Sequence, residues 1–162
     1  DEFDPATGEW KQLVDAPHTR DHFHAAVIEG KLYAAGGRNT SNKTGHTMDQ
    51  TIGEVDVYDF DSGKWTSLPA SAHLPTLRAG TTVAVQGDRL LVMGGESTTQ
   101  VPAHSEVEAY DVSEGKWISL PPMMQGRHGM QAIQYKGKIY IAGGSADRGG
   151  GPELKSIDCW SE

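Results

Sequence analysis

The chain has 162 residues, a formal net charge of −8 and a pI near 5.3, which argues against holding a nucleic-acid phosphate backbone, a task for clustered Lys and Arg. Only 36% of the residues are apolar, and no stretch approaches the roughly 18 consecutive apolar residues of a membrane span. The 20 glycines and 8 prolines fit an all-β domain of short strands and many turns.

From the N-terminus, Phe3-Asp4, Gly8 and Trp10 predict the end of one strand, a turn and a further strand. The stretch TRDHFHAAVIEGKLYAAGGRNTS follows, with a hairpin turn at Glu29-Gly30 and a Gly36-Gly37 pair closing its second strand. After a polar loop, EVDVYDFDSGKWTSLP reads as a third strand, a turn at Asp61-Ser62-Gly63 and a fourth strand through Trp65. The order then repeats. Thr81 to Gln86, a Gly87-Asp88 turn, Arg89 to Met93 and Gly94-Gly95 lead to Val107–Asp111, Ser113-Glu114-Gly115 and Trp117 to Leu120. A third round, GRHGMQAIQYKGKIYIAGGS, turns at Lys136-Gly137, passes Gly143-Gly144 and ends on Ser156 to Trp160 with no Gly-x-Trp behind it.

An Arg, a hairpin and a Gly-Gly pair thus recur three times, with Gly-x-Trp steps at Trp10, Trp65 and Trp117 marking the boundaries. A unit of about 50 residues with this content resembles the kelch repeat, and the resemblance covers nearly the whole chain. It implies a kelch β-propeller of three four-stranded blades per chain. An outer strand lies in 1–14, blades in 15–69 and 70–121, and the first three strands of a split blade in 122–162. Four-stranded meanders with two apolar faces stack side by side, the tryptophans plugging the space between blades and the paired glycines letting backbones approach. Asp4, Asp59 and Asp111 precede turns and read as turn-stabilising residues.

Three blades fall short of the four to eight of a closed propeller and leave bare edges and faces. The expectation is a head-to-tail homodimer of six blades, the N-terminal strand of each copy completing the split blade of the other about a two-fold axis. The alternative is half of a longer chain, a fragment or an engineered half-propeller with no activity of its own. The units also resemble six-bladed kelch propellers, among them those similar to the central domain of galactose oxidase. A start at Asp1 reads as a mature or excised form, and Cys159, with no second cysteine, leaves the compartment open. Asn39 and Asn42 each open an N-x-Ser/Thr triplet, a pattern that polar loops produce by chance.

Length variation gathers at one end of the blades. From the second glycine to the third-strand aromatic (Tyr58, Tyr110, Trp160) the spacing is 21, 15 and 16 residues, and the Trp-to-Arg spacing is 10, 13 and 10. Insertions on one face mark it as a binding face. The candidate binding residues there are Arg20, His22, Arg38, Asn39, Arg78, Glu96, Arg127, His128 and Arg148. In the similar kelch substrate adaptors of ubiquitin ligases, rim arginines contact acidic peptides, a task that the planar guanidinium fork suits. The competing role for Arg20, Arg78 and Arg127 is to bond carbonyls or carboxylates between blades. His22-x-His24 puts two imidazoles on one strand face without a third ligand, so neither a metal site nor a cofactor is assigned.

The resemblance does not carry galactose oxidase activity over, since Cys159 aligns with Val57 and Ala109 as an ordinary strand residue. No catalytic residue is assigned and the balance leans against an enzyme. The leading expectation is a non-catalytic scaffold that self-assembles and binds a protein or peptide through the Arg- and His-rich rim. A second is a binder of, or enzyme on, a small polar ligand such as a sugar, of the galactose-oxidase-like or mutarotase-like kelch type.

Overall fold

The computed structural model describes residues 1–162, and they form thirteen antiparallel strands and one short 3-10 turn at Ala70–Ala72. No helix is long and apolar enough to cross a membrane. The first blade is β3 (His24–Ile28), β4 (Lys31–Ala35), β5 (Asp56–Asp59) and β6 (Lys64–Ser67), paired in chain order as a meander. It follows a separate hairpin of β1 (Glu2–Asp4) and β2 (Glu9–Lys11). The second blade is β7 (Thr82–Gln86), β8 (Arg89–Met93), β9 (Val107–Asp111) and β10 (Lys116–Leu120); the third stops at three strands, β11 (Ala132–Tyr135), β12 (Lys138–Ala142) and β13 (Ile157–Trp160).

The hairpin turns fall where the sequence placed them. Glu29-Gly30 and Lys136-Gly137 have positive φ at both central residues, which matches the right-handed twist of the flanking strands. The second glycine of each Gly-Gly pair is needed for room: a Cβ there would stand 2.7 Å from the Asp21 carbonyl at Gly37, 2.8 Å from that of Ala79 at Gly95 and 2.7 Å from that of His128 at Gly144. Asp4, Asp59 and Asp111 accept the N–H of Ala6, Ser62 and Glu114 at 2.8, 2.8 and 2.9 Å, closing the turns between third and fourth strands.

Two apolar clusters lie in the two seams between blades. Ala35, Val55 and Leu74 of the first seam meet Leu90 and Val92 of β8, while Leu91 and Met93, on the other face of that strand, meet Ile139 and Ile141 of β12. Each Val, Leu, Ile or Met among them contributes about 2 kcal/mol on leaving water. Backbone bonds cross the seams in a repeated pattern: Gly37 N–H to the Arg78 carbonyl (3.1 Å) and Gly80 N–H to the His22 carbonyl (2.6 Å), then Gly95 to Arg127 and Gly129 to Gly80, both 2.9 Å.

Register shows what each end of the chain is. Phe3 lies opposite Trp10 as Tyr58 lies opposite Trp65 and Tyr110 opposite Trp117, so β1 and β2 match a third and a fourth strand. Trp160 of β13 lies opposite Ile139 as Tyr110 lies opposite Leu90, so β13 is also a third strand. The indoles of Trp65 and Trp117 donate to the carbonyls of Val14 and Ala72, in each case six residues before the arginine of the blade. In the third blade the equivalent Pro121 carbonyl is taken by Trp160, at 2.7 Å, from the third strand.

Candidate functional site

The arginines that open the three blades are inside the protein. Arg78 and Arg127 have no solvent exposure, and the Arg20 side chain is buried as well. Each guanidinium bonds the carbonyl of the first glycine of its pair: Gly36 at 2.9 Å, Gly94 at 2.7 Å and Gly143 at 2.7 Å. Each also pairs with a carboxylate of the third strand, Asp56, Glu108 or Asp158. These bonds stay within one blade, where the sequence argument had set them between blades. The geometry staples the start of each blade to its third strand.

The residues after the Gly-Gly pairs do gather at one place. Short bridges join Asp21 to Arg38, Ala79 to Glu96 and His128 to Ser145, one per blade. Across them, Arg38 of the first blade donates to Glu96 of the second at 2.7 Å. The second oxygen of Glu96 accepts the Gly149 N–H of the third-blade loop at 2.6 Å and lies 3.6 Å from the His128 ring. Burial by itself would raise the Glu96 pKa, but the Gly149 N–H, Arg38 and His128 outweigh it and hold the carboxyl below its ordinary range. Asp56 is held down in the same way, burial being overcome by Ser67, His18 and Arg20.

Of the nine candidate residues, His22, Asn39 and Arg148 are exposed on this rim, while Arg38 and Glu96 are its buried ties and His128 is partly covered, donating to the Asp147 carbonyl at 2.9 Å. Asn39 donates to Thr19 at 3.0 Å, and Arg148 spends one nitrogen on the Thr98 carbonyl at 2.8 Å. His22 is not part of a strand. It has φ 53° and precedes β3, so it does not share a strand face with His24: its ring bonds Asp21, while that of His24 lies 3.3 Å from the Thr82 hydroxyl. Along the first strands runs an open groove of about 540 Å³ bordered by His22, His24, Thr81, Met130 and Gln131.

Sequence reasoning passed over a second polar cluster in the second-blade loop. His104 lies 2.8 Å from the Ser97 hydroxyl and 3.1 Å from the Glu106 carboxylate, and burial pushes its pKa down. The trio has the residue types of a nucleophile–base–acid set, but Ser97 and His104 are both buried and Ser97 also bonds Thr99 at 2.8 Å. It clamps the loop closed. Only the proximity of Ser97, His104 and Glu106 within ten residues hinted at it.

The KLHDC2/KLHL20/DRC7 kelch-repeats domain family matches residues 2–148. Similar proteins include the Kelch-like protein terF of Aspergillus terreus, 31% identical over 144 residues, or 88% of this chain and 30% of that protein. Human Kelch domain-containing protein 8B is 26% identical over 145 residues, 89% of this chain and 41% of its own length. Alpha-scruin of Limulus polyphemus is 26% identical over 147 residues, 89% of this chain and 15% of its own length. The chain therefore spans less than half the length of these relatives. With its recurring Arg, hairpin and Gly-Gly units folded as stacked antiparallel blades, the chain belongs to the kelch-repeat domain family.

Proposed function

We propose that this kelch domain is a non-catalytic scaffold that joins with a second copy to make six blades and holds a protein or peptide partner on its loop rim. One observation carries the rim reading. The loops of all three blades meet at the Glu96 carboxylate, through Arg38 and the Gly149 N–H, so the rim is tied into one rigid surface with His22, Asn39 and Arg148 facing outward. A preordered surface loses little entropy on binding, and the remaining donors of Arg148 suit a partner carboxylate. The test is selection from a displayed library of Asp- and Glu-containing peptides, followed by affinity measurement. Enriched peptides that lose at least tenfold in affinity with Arg148→Ala or Asn39→Ala support the reading; no enrichment, or enrichment indifferent to both changes, overturns it.

A second reading, a small polar ligand such as a sugar in the groove along the first strands, is favoured by Thr81, whose buried hydroxyl has no partner in the protein and which borders that groove. Calorimetric titration with galactose and other monosaccharides tests it. Heat that disappears with Thr81→Val supports this reading, and silence across the panel removes it.

A further inference from the structure

One row of charged side chains crosses the rim from the first blade to the third. It begins at His22, whose ring bonds the Asp21 carboxylate; Arg38 Nε lies 3.7 Å from that carboxylate, and Arg38 Nη1 donates to Glu96 at 2.7 Å. The second oxygen of Glu96 then stands 3.6 Å from the His128 ring. Base and acid alternate along the row, and an imidazole stands at each end. The bridged positions of the blades supply its interior and its far end: Asp21 and Arg38 in the first, Glu96 in the second and His128 in the third.

The interior of the row is fixed in charge. Arginine keeps its proton throughout the ordinary pH range. Burial by itself would raise the Asp21 pKa, but the Thr40 N–H and His22 outweigh it and hold the carboxyl below its ordinary range, as Glu96 is held. The two ends differ, because imidazole is the side chain whose charge changes between about pH 5 and 8. His128 donates its Nε2–H to the Asp147 carbonyl at 2.9 Å, which leaves Nδ1 to take up a second proton. The charges that face this ring are Glu96 of the second blade and, beyond it, Arg38 of the first. His22 faces Asp21 and, beyond it, Arg38, while the second blade presents to it the uncharged Gly80, whose N–H its carbonyl accepts. At both ends a carboxylate is the nearest charge, so a protonated ring has its ion-pair partner in place.

With both rings neutral the row carries one more negative charge than positive; with both protonated it carries one more positive than negative. Arg148, the outward-facing donor of the rim, directly precedes Gly149, whose N–H Glu96 accepts. The change of sign therefore falls beside the group that is offered to a partner carboxylate. We infer that His22 and His128 make the rim an acid-strengthened site, which binds an anionic peptide more tightly as the pH falls from about 8 to about 6. This rests on the reading of the rim as a surface for a protein or peptide partner, and adds what regulates that surface. Each added charge is partly screened by solvent and worth about twofold, so the pair gives about fivefold in affinity.

The probe is a rhodamine-labelled hexa-aspartate peptide, whose side chains stay ionised at both about pH 8 and about pH 6, and its affinity is read by fluorescence anisotropy at each. The expected result is binding about fivefold tighter at the lower pH. His22→Gln and His128→Gln each diminish that gain and the double variant removes it, whereas His73→Gln, which deletes an imidazole outside the row, keeps it. Far-ultraviolet circular dichroism checks folding; should His128→Gln not fold, the exposed His22 position decides alone, and an undiminished gain with His22→Gln overturns the inference. Peptide bound equally at both pH values, or a gain that survives the double variant, overturns the switch and leaves the rim reading standing. A gain lost equally with His73→Gln belongs to overall charge and also overturns the switch. No binding at either pH overturns the rim reading and the switch with it.

Discussion

The second and third blades are written in nearly the same residues and end in different surroundings. In β8, Leu90 and Val92 face the first blade while Leu91 and Met93 face the third, and all four are fully buried. In β12, Ile139 and Ile141 are covered, but Tyr140 and Ala142 border the open groove. The comparison teaches that burial in a stacked repeat depends on the neighbour more than on the repeat itself, because each unit contacts only the units beside it. In the third blade Trp160, of the third strand, reaches the carbonyl that a fourth-strand tryptophan takes in the other two.

The sharpest way to break this comparison is at the arginines. Arg78→Ala strands the Glu108 carboxylate, whose side chain is 6% exposed, and leaves the Thr76, Val92 and Gly94 carbonyls without their donor. It is expected to cost about 3–5 kcal/mol in denaturant unfolding. Arg127→Ala leaves Asp158, 14% exposed and closer to solvent, and is expected to cost less. Equal losses would mean that the open face does not soften the third blade.

Side-chain truncation sharpens the contrast. Leu91→Ala opens a cavity in a filled seam and is expected to cost about 2–5 kcal/mol, whereas Ile133→Ala, on the bare face, is expected to stay within about 0.5 kcal/mol in the isolated chain. A large loss at Ile133 would show that the groove is already occupied. Trp160→Phe, which removes one indole bond, is expected to cost about 1 kcal/mol by thermal unfolding.

The smallest effect is the pH dependence of the second-blade loop. Burial lowers the His104 pKa from 6.5, so the unfolded chain binds more protons below that value. Its contribution is complete above 6.5 and is lost as pH falls through the lowered folded value. Glu96, lowered from 4.5, follows at more acid pH, its contribution present above 4.5 and lost as pH falls through the depressed value. His104→Gln should flatten the first part of the stability-against-pH curve and leave the second; an unchanged curve would sink the clamp assignment.

Much of the fold was legible because its causes are local. Strand alternation has period two, paired residues at positive φ select the hairpin turns, and Asp at the start of a turn bonds a nearby N–H, all of which can be read within a few residues. The roles of the polar residues were not legible. Arg78 and Arg148 look alike in the sequence, yet one is spent on Glu108, 30 residues away, and the other faces solvent. Arg38 and Glu96, both named as rim residues, are tied to each other across 58 residues. His22 left the strand expected for it because its backbone takes φ 53° and its carbonyl accepts the Gly80 N–H of the next blade.

By itself, the amino-acid order determined the number of units, the strands and turns within each and the membership of the kelch family. The tertiary structure alone decided which charges are buried and which faces of the blades meet, because a buried ion pair and a covered seam exist only once segments far apart in the chain are stacked together.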